Sequence, residues 1–343
     1  MDRQELLRAS VLCARSLRAN IKSVDGTDGR PRSLLVAGSN RLHSLRTPDF
    51  CFAALGLLRI GEFQAVRDSL ETLFSHQRED GLFPILLDTK SLFARIGRHF
   101  FGSRIPFKAP LHPVFVPSVE TNALVVTTAC RYALEGDRPA WAGLNLAKME
   151  LALSIKPAAD SPFMTHLQYW KSLASFAALL GFLGRTRDCE KRRSEASMVK
   201  RKLEERYWDE TRGLYGDSTA ANLAAIAWGF ASEEQASRIV RGIDRSGNWT
   251  PWGPSENGSL QLWISALGLQ ALRRTNREVL LKRNFSKILS MLEENDGIFE
   301  AYDLKTGKAL PKSEKPFSWS AGMLVEAFHE LLKSDEVSCD SHS

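Results

Sequence analysis

Apolar residues recur at spacings of three and four along most of this chain, and strictly alternating runs are scarce. That periodicity predicts helices over residues 3–21, 49–60, 62–77, 118–135, 139–154, 164–184, 188–206, 219–230, 232–243, 257–274, 276–293 and 317–333. Several boundaries carry their own signals. Ile60-Gly61 separates two helices, and Gly136-Asp137-Arg138-Pro139 puts a proline in the first turn of the next one. Ser232-Glu233-Glu234-Gln235 reads as a capping box.

The helices differ in character. Those at 49–58 and 260–272 are apolar almost all round, as a helix buried on every side must be. Those at 62–77 and 276–293 carry one apolar stripe and one polar face. Buried helices alternating with amphipathic ones predict an inner layer wrapped by an outer one. Roughly twelve helices in consecutive hairpins match an all-α (α/α)6 barrel, a six-hairpin toroid. A helical solenoid is the other arrangement the pattern allows, but exact repeats of about 30–45 residues are not evident. Two long segments, 80–117 and 246–257, are rich in proline or tryptophan and lack helical period, so they read as functional loops. No composition shift marks a linker. The expectation is one barrel domain over 1–333 and a polar tail over 334–343.

Composition narrows the function classes. The chain has 343 residues, 43% hydrophobic and 25% charged, which suits a globular protein and excludes disorder or a small disulfide scaffold. No apolar run approaches the ~20 residues of a membrane span. The net charge, 46 − 40 = +6, is mild. Its densest basic stretch, Lys191–Arg206, is interleaved with Glu195, Glu204 and Glu205 and reads as a solvated helix face, so no nucleic-acid partner is expected. The five cysteines are scattered, without metal-ligand spacing, and Cys51 and Cys130 sit among apolar neighbours. With no apolar leader after Met1, the expected setting is a reducing cytoplasm.

Six segments could carry chemistry. In Arg46-Thr47-Pro48-Asp49-Phe50, Asp49 reads as the N-cap of a buried helix; with Arg46 it could also bind ligand hydroxyls at a barrel mouth. Gln77-Arg78-Glu79-Asp80-Gly81-Leu82-Phe83-Pro84 reads as a structural turn. In Ser118-Val119-Glu120-Thr121-Asn122, Ser118 reads as a cap. Glu120 is either part of that cap or a general acid, since a carboxyl beside apolar walls can hold a proton at neutral pH. In Thr165-His166-Leu167-Gln168-Tyr169-Trp170, His166 reads as a structural or binding group, while Gln168 and Tyr169 suit sugar binding or packing. Trp249-Thr250-Pro251-Trp252, with Glu256 and Trp263 after it, is either an aromatic ligand platform or a plug of the barrel floor. Finally Phe299-Glu300-Ala301-Tyr302-Asp303 isolates a carboxylate in a strand-like stretch before Phe317-Ser318-Trp319-Ser320, where a serine opens the last helix. Glu300 is an edge residue, or it activates water together with a second carboxylate. Phosphate loops, zinc-type histidine clusters and serine nucleophile elbows are absent.

The order of these pieces resembles the six-hairpin glycosidases, in particular neutral/alkaline invertases and glucoamylases. Thr47-Pro48-Asp49-Phe50 with Gly61-Glu62 is similar to the invertases' Arg-Asp-Phe helix and the turn after it. Val119-Glu120-Thr121 falls where those enzymes carry their acid, and Asn257-Gly258 with Trp263 resembles their Asn-Gly helix. Phe299-Glu300-Ala301-Tyr302-Asp303, Gly307-Lys308 and Phe317-Ser318-Trp319-Ser320-Ala321-Gly322 resemble the series that closes both families. The resemblance implies an (α/α)6 barrel and an inverting O-glycoside hydrolase of a small glucoside or oligosaccharide. It implies Glu120 as acid and Glu300 as base; on that reading Arg46, Asp49, Gln168, Tyr169, Trp252, Glu256 and Trp319 are expected to bind the carbohydrate. Two carboxylates suffice for that reaction, so no metal or cofactor is expected. Two rivals remain: a non-catalytic carbohydrate-binding barrel, which keeps the tryptophans, and an epimerase or lyase, which prefers paired histidines.

Overall fold

The structure, a computed structural model, describes residues 2–25, 30–39, 42–89 and 111–340; of residues 334–340 it describes the helical backbone alone. Residues 90–110 of the expected 80–117 loop and residues 341–343 of the expected tail lie outside the described residues. Twelve helices and nine short strands are present among the described residues. Each helix of the periodicity reading has its counterpart. They fall into two compact units, Asn20–Tyr207, and Met1–Ala19 with Trp208–Ser343.

The first unit holds α2 (Thr47–Arg59), α3 (Phe63–Ser75), α4 (Val119–Glu135), α5 (Pro139–Ser154), α6 (Phe163–Phe182) and α7 (Thr186–Tyr207). Helix α4 packs on both α2 and α6, making an inner series, and α3, α5 and α7 lie against it from outside. Burial follows the composition of each. In α2, Phe50, Cys51, Phe52, Ala53, Ala54, Leu57 and Leu58 are all buried. In α7 only Cys189, Ala196 and Leu203 are, a narrow seam on a charged helix. Its basic residues pair along the surface, as in Arg192–Glu195 at 2.7 Å and Arg201–Glu205 at 3.9 Å, which is the solvated face expected of Lys191–Arg206.

The second unit joins α1 (Arg3–Ala19) to α8 (Thr219–Ala227), α9 (Glu233–Arg245), α10 (Leu262–Arg274), α11 (Glu278–Glu294) and α12 (Ser318–Asp340). Helix α10 packs on α8 and α12, and α1 docks on α12 and α11. All nine residues of α8 are buried, five of them alanine, so its neighbours can approach closely. The capping box at Ser232 forms with Gln235 as expected.

Turn chemistry sets the hairpins. Gly61 has φ +81°, its N–H reaches Leu58 O, and Glu62 N reaches Leu57 O, a Schellman termination that only glycine adopts without strain. Several boundaries differ from expectation: α8 ends at Ala227 rather than 230, α10 starts at Leu262 rather than 257, and α12 runs to Asp340 rather than 333, into the expected tail. Helix α1 ends at Ala19 because Ile21–Asp25 (β1) pairs antiparallel with Pro31–Leu35 (β2). Helix α2 begins at Thr47, not at Asp49. Its cap position is Arg46 and Pro48 occupies the first turn, where its missing N–H costs nothing. Asp49 is therefore inside the first turn rather than its N-cap.

The remaining strands sit before inner helices. Leu45–Arg46 (β3), Leu86–Thr89 (β4) and Leu111–Val114 (β5) form one sheet leading into α2 and α4. Trp208–Asp209 (β6) pairs with Leu214–Tyr215 (β7) ahead of α8, and Trp249–Thr250 (β8) pairs with Gly253–Pro254 (β9) ahead of α10. Among the described residues no helix is long and apolar enough to cross a membrane.

Candidate functional site

In the first unit, α4 and α6 bring two of the expected residues together. Glu120 lies in the first turn of α4, behind Ser118, whose hydroxyl caps the helix by accepting from Thr121 N at 3.3 Å. It is partly exposed. Gln168, in the second turn of α6, is 3% exposed and its Nε2 donates to Glu120 Oε1 at 2.9 Å. The other end of that amide, Oε1, is buried and has no hydrogen-bond partner among the described residues. The hydroxyl of Thr121 is likewise buried and unpartnered. Unpaired buried polar atoms are uncommon in proteins.

Arg46 and Asp49 also meet. Asp49 is 6% exposed and Arg46 Nε lies 3.6 Å from its Oδ2. Tyr169, by contrast, is part of the framework. It is buried and donates to Leu153 O at 3.2 Å, and burial, with Glu195 nearby, pushes its phenol up to about 12. His166 stacks obliquely on Tyr207 at 5.8 Å. Burial, then the Arg206 charge, hold its imidazole below the ordinary value, while hydrogen bonding to the Ala158–Ala159 backbone acts the other way. That is the structural role expected of a lone histidine.

A residue that sequence reasoning did not single out organises this end of the unit. Asn122, 1% exposed, accepts from Phe83 N at 3.0 Å and donates to Gly81 O at 3.1 Å and Ala152 O at 3.2 Å. It ties the Asp80-Gly81 turn to the first turn of α4. The turn is structural, as expected: a Cβ at Gly81 would lie 2.7 Å from Leu151 O. A signal existed in the sequence. Ser218-Thr219-Ala220-Ala221-Asn222 repeats the Ser118-x-x-x-Asn122 spacing, and Asn222 accepts from Tyr215 N at 2.7 Å in the same manner.

In the second unit, the stretch around Glu300 is held on both sides by backbone. Glu300 N donates to Glu314 O at 3.0 Å, Tyr302 pairs with Leu260, and Ala301 O accepts from Leu310 N. The buried Tyr302 hydroxyl accepts from Phe299 N at 2.8 Å and reaches Gly297 O at 3.4 Å. Glu300 itself is partly exposed at the turn these contacts create. Glu256 turns to the start of α8, where Oε2 accepts from Ala220 N at 3.2 Å, one of the donors a helix leaves free. Trp319, at the start of α12, stacks on Trp263 at 4.9 Å with 30° between the rings. Trp252 packs flat on Gly307, carries the Lys287 ammonium 4.8 Å from its ring centre and donates to Lys305 O at 3.2 Å. These contacts describe a ring that pins the 303–308 turn.

The expected residues fall in both units, Arg46, Asp49, Glu120, Gln168 and Tyr169 in the first and Trp252, Glu256, Glu300 and Trp319 in the second. Arg46, Asp49, Glu120 and Trp319 lie in or just before the first turns of inner helices, and Gln168 lies in the second turn of another. Among the described residues no three histidine, cysteine or acidic side chains converge as a metal site would require.

No family model matches the chain, and no curated protein matches it in sequence. Solved structures do match. A GH63 mannosylglycerate hydrolase from Thermus thermophilus superposes with a TM-score of 0.66 at 14% identity, covering 93% of this chain and 99% of its own. A rhamnosidase from Klebsiella oxytoca with rhamnose bound gives 0.70 at 13%, over 96% of this chain and 64% of that one. A GH78 rhamnosidase of Bacillus sp. GL1 gives 0.67 at 14%, over 94% and 34%. At such identities the likeness speaks to architecture. The chain has the all-α (α/α)6 barrel fold of these glycoside hydrolases, the fold its helical pattern and motifs pointed to.

Proposed function

We propose that this chain is a glycoside hydrolase in which Glu120 is the general acid and Glu300 the general base. The observation that carries the reading is the Glu120–Gln168 pair, a carboxyl at the start of an inner helix held at 2.9 Å by a buried amide whose oxygen has no partner among the described residues. Glu300, fixed by backbone on both sides, supplies a second carboxylate before another inner helix. In the inverting reaction the acid gives its proton to the glycosidic oxygen as the C1–O bond breaks. The base takes a proton from the water that attacks C1 on the opposite face. Arg46, Asp49, Glu256 and Trp319 are then the side chains for sugar hydroxyls and ring faces, in one barrel domain. A reducing cytoplasmic setting suits the four free, buried cysteines Cys13, Cys51, Cys130 and Cys189.

The neighbours in fold suggest the first substrates. They include an enzyme of mannosylglycerate, solved also with glucose, and one with rhamnose bound. The test is a panel of mannosides, rhamnosides and glucosides, with the first-formed sugar anomer followed by proton NMR. Hydrolysis with inversion supports the reading. Hydrolysis with retention overturns the base role of Glu300, and sugar binding without hydrolysis across the panel favours a carbohydrate-binding barrel.

A further inference from the structure

Gln168 was expected among the sugar-binding residues, but its surroundings argue otherwise. The side chain is 3% exposed, its Oε1 is buried, and its one hydrogen bond among the described residues goes to Glu120. A carboxamide has a donor end and an acceptor end related by a half-turn about its last torsion. With Nε2 toward Glu120 it donates to a carboxylate oxygen. Turned over, with Oε1 toward Glu120, it accepts from the hydroxyl of a carboxylic acid. Among the described residues no competing partner on Oε1 opposes that turn. A general acid passes through both forms in every cycle, since it gives up its proton and then regains one.

The geometry points to Gln168 as the positioning residue of Glu120, a buried amide that keeps the carboxyl in place both before and after it gives its proton to the leaving oxygen. This rests on the acid role of Glu120 given above. Three features fit a positioning role better than a ligand role. The amide is inside the α4–α6 packing, it is anchored on a long inner helix, and its contact is with a side chain 48 residues earlier, across those two helices. A lysine or arginine at this place would hold the carboxylate alone. The neutral amide serves both protonation states.

The test combines stability and turnover. Gln168→Met keeps the bulk of the side chain and removes both polar ends. Melting temperatures of Gln168→Met, Glu120→Ala and the double variant form a cycle that needs no substrate. Coupling is expected, so that the double variant loses less than the sum of the two single changes; additive losses overturn the inference. Turnover is then compared for glycosides with a poor, alkoxide-like leaving group and for activated ones such as glycosyl fluorides, which need little protonation. Gln168→Met is expected to lower kcat for the poor leaving group about tenfold, with KM within about twofold, and to leave the activated substrate near the parental rate. A rise in KM for both substrates makes Gln168 a sugar ligand, and an equal fall in kcat for both makes it structural; either overturns the inference. Parental turnover in Glu120→Gln, on the same substrates, instead overturns the acid role itself and removes the ground for a positioning residue.

Discussion

Asn122 Oδ1 accepts the backbone N–H of Phe83 at 3.0 Å, and through that bond an inner helix fixes the turn that precedes β4. The same amide also donates to Gly81 O and Ala152 O, which accept as well from Gln77 Nε2 and Ile155 N. Asn122→Ala therefore leaves the buried Phe83 N–H without its partner. The expected cost is about 1–3 kcal/mol, read as a lower denaturant midpoint. Asn222→Ala, which removes the amide from Tyr215 N, should cost a similar amount. A change within about 0.5 kcal/mol for either would show that water replaces the amide freely.

Gly307 and Gly61 separate backbone strain from packing. Both have positive φ, +69° and +81°, so alanine at either position carries a conformational cost of about 1–2 kcal/mol. At Gly61 the added methyl meets open space, whereas at Gly307 it would lie 2.9 Å from Trp252 Cε3. Gly307→Ala should therefore destabilise by about 1–3 kcal/mol more than Gly61→Ala, the usual cost of overpacking. Equal losses in chemical denaturation would mean that Trp252 moves aside without penalty.

His166 gives the fold a pH dependence of known sign. Burial and Arg206 depress its folded pKa below the unfolded value of about 6.5, so the unfolded state binds more protons. Its contribution to stability is complete above that value and is lost as pH falls below it and through the folded pKa. Melting temperature measured from pH 7.5 to 5 should decline less in His166→Gln than in the parent. A steeper decline in the variant would reverse the sign.

How much of this was legible beforehand differs from element to element. The helices were, because their signals are local: the apolar surround of 50–58, the glycine at 61, the proline at 139 and the Ser232–Gln235 box each lie within a few residues of the boundary they set. Strands β6 to β9 were not, since two residues cannot display a period of two. Asp49 was displaced from the cap by Pro48, which the helix accepts in its first turn and which lets it start two residues sooner. Glu120 and Glu300 stood out in the sequence as carboxylates in unusual settings and through the family resemblance. The Gln168–Glu120 bond was not legible, because it depends on which turns of α4 and α6 meet. Trp252 and Tyr169 suited ligand binding by type alone, and their observed partners, Gly307, Lys287 and Leu153, come from elsewhere in the chain.

The central claim is that two carboxylates, Glu120 and Glu300, carry glycoside hydrolysis. Its most direct measurement is the kcat of Glu120→Gln and Glu300→Gln on a glycoside that the parent hydrolyses, beside their melting temperatures. The expected result is a fall of about 10²–10⁴-fold for each, with cooperative folding retained. Parental turnover in either variant would contradict the claim.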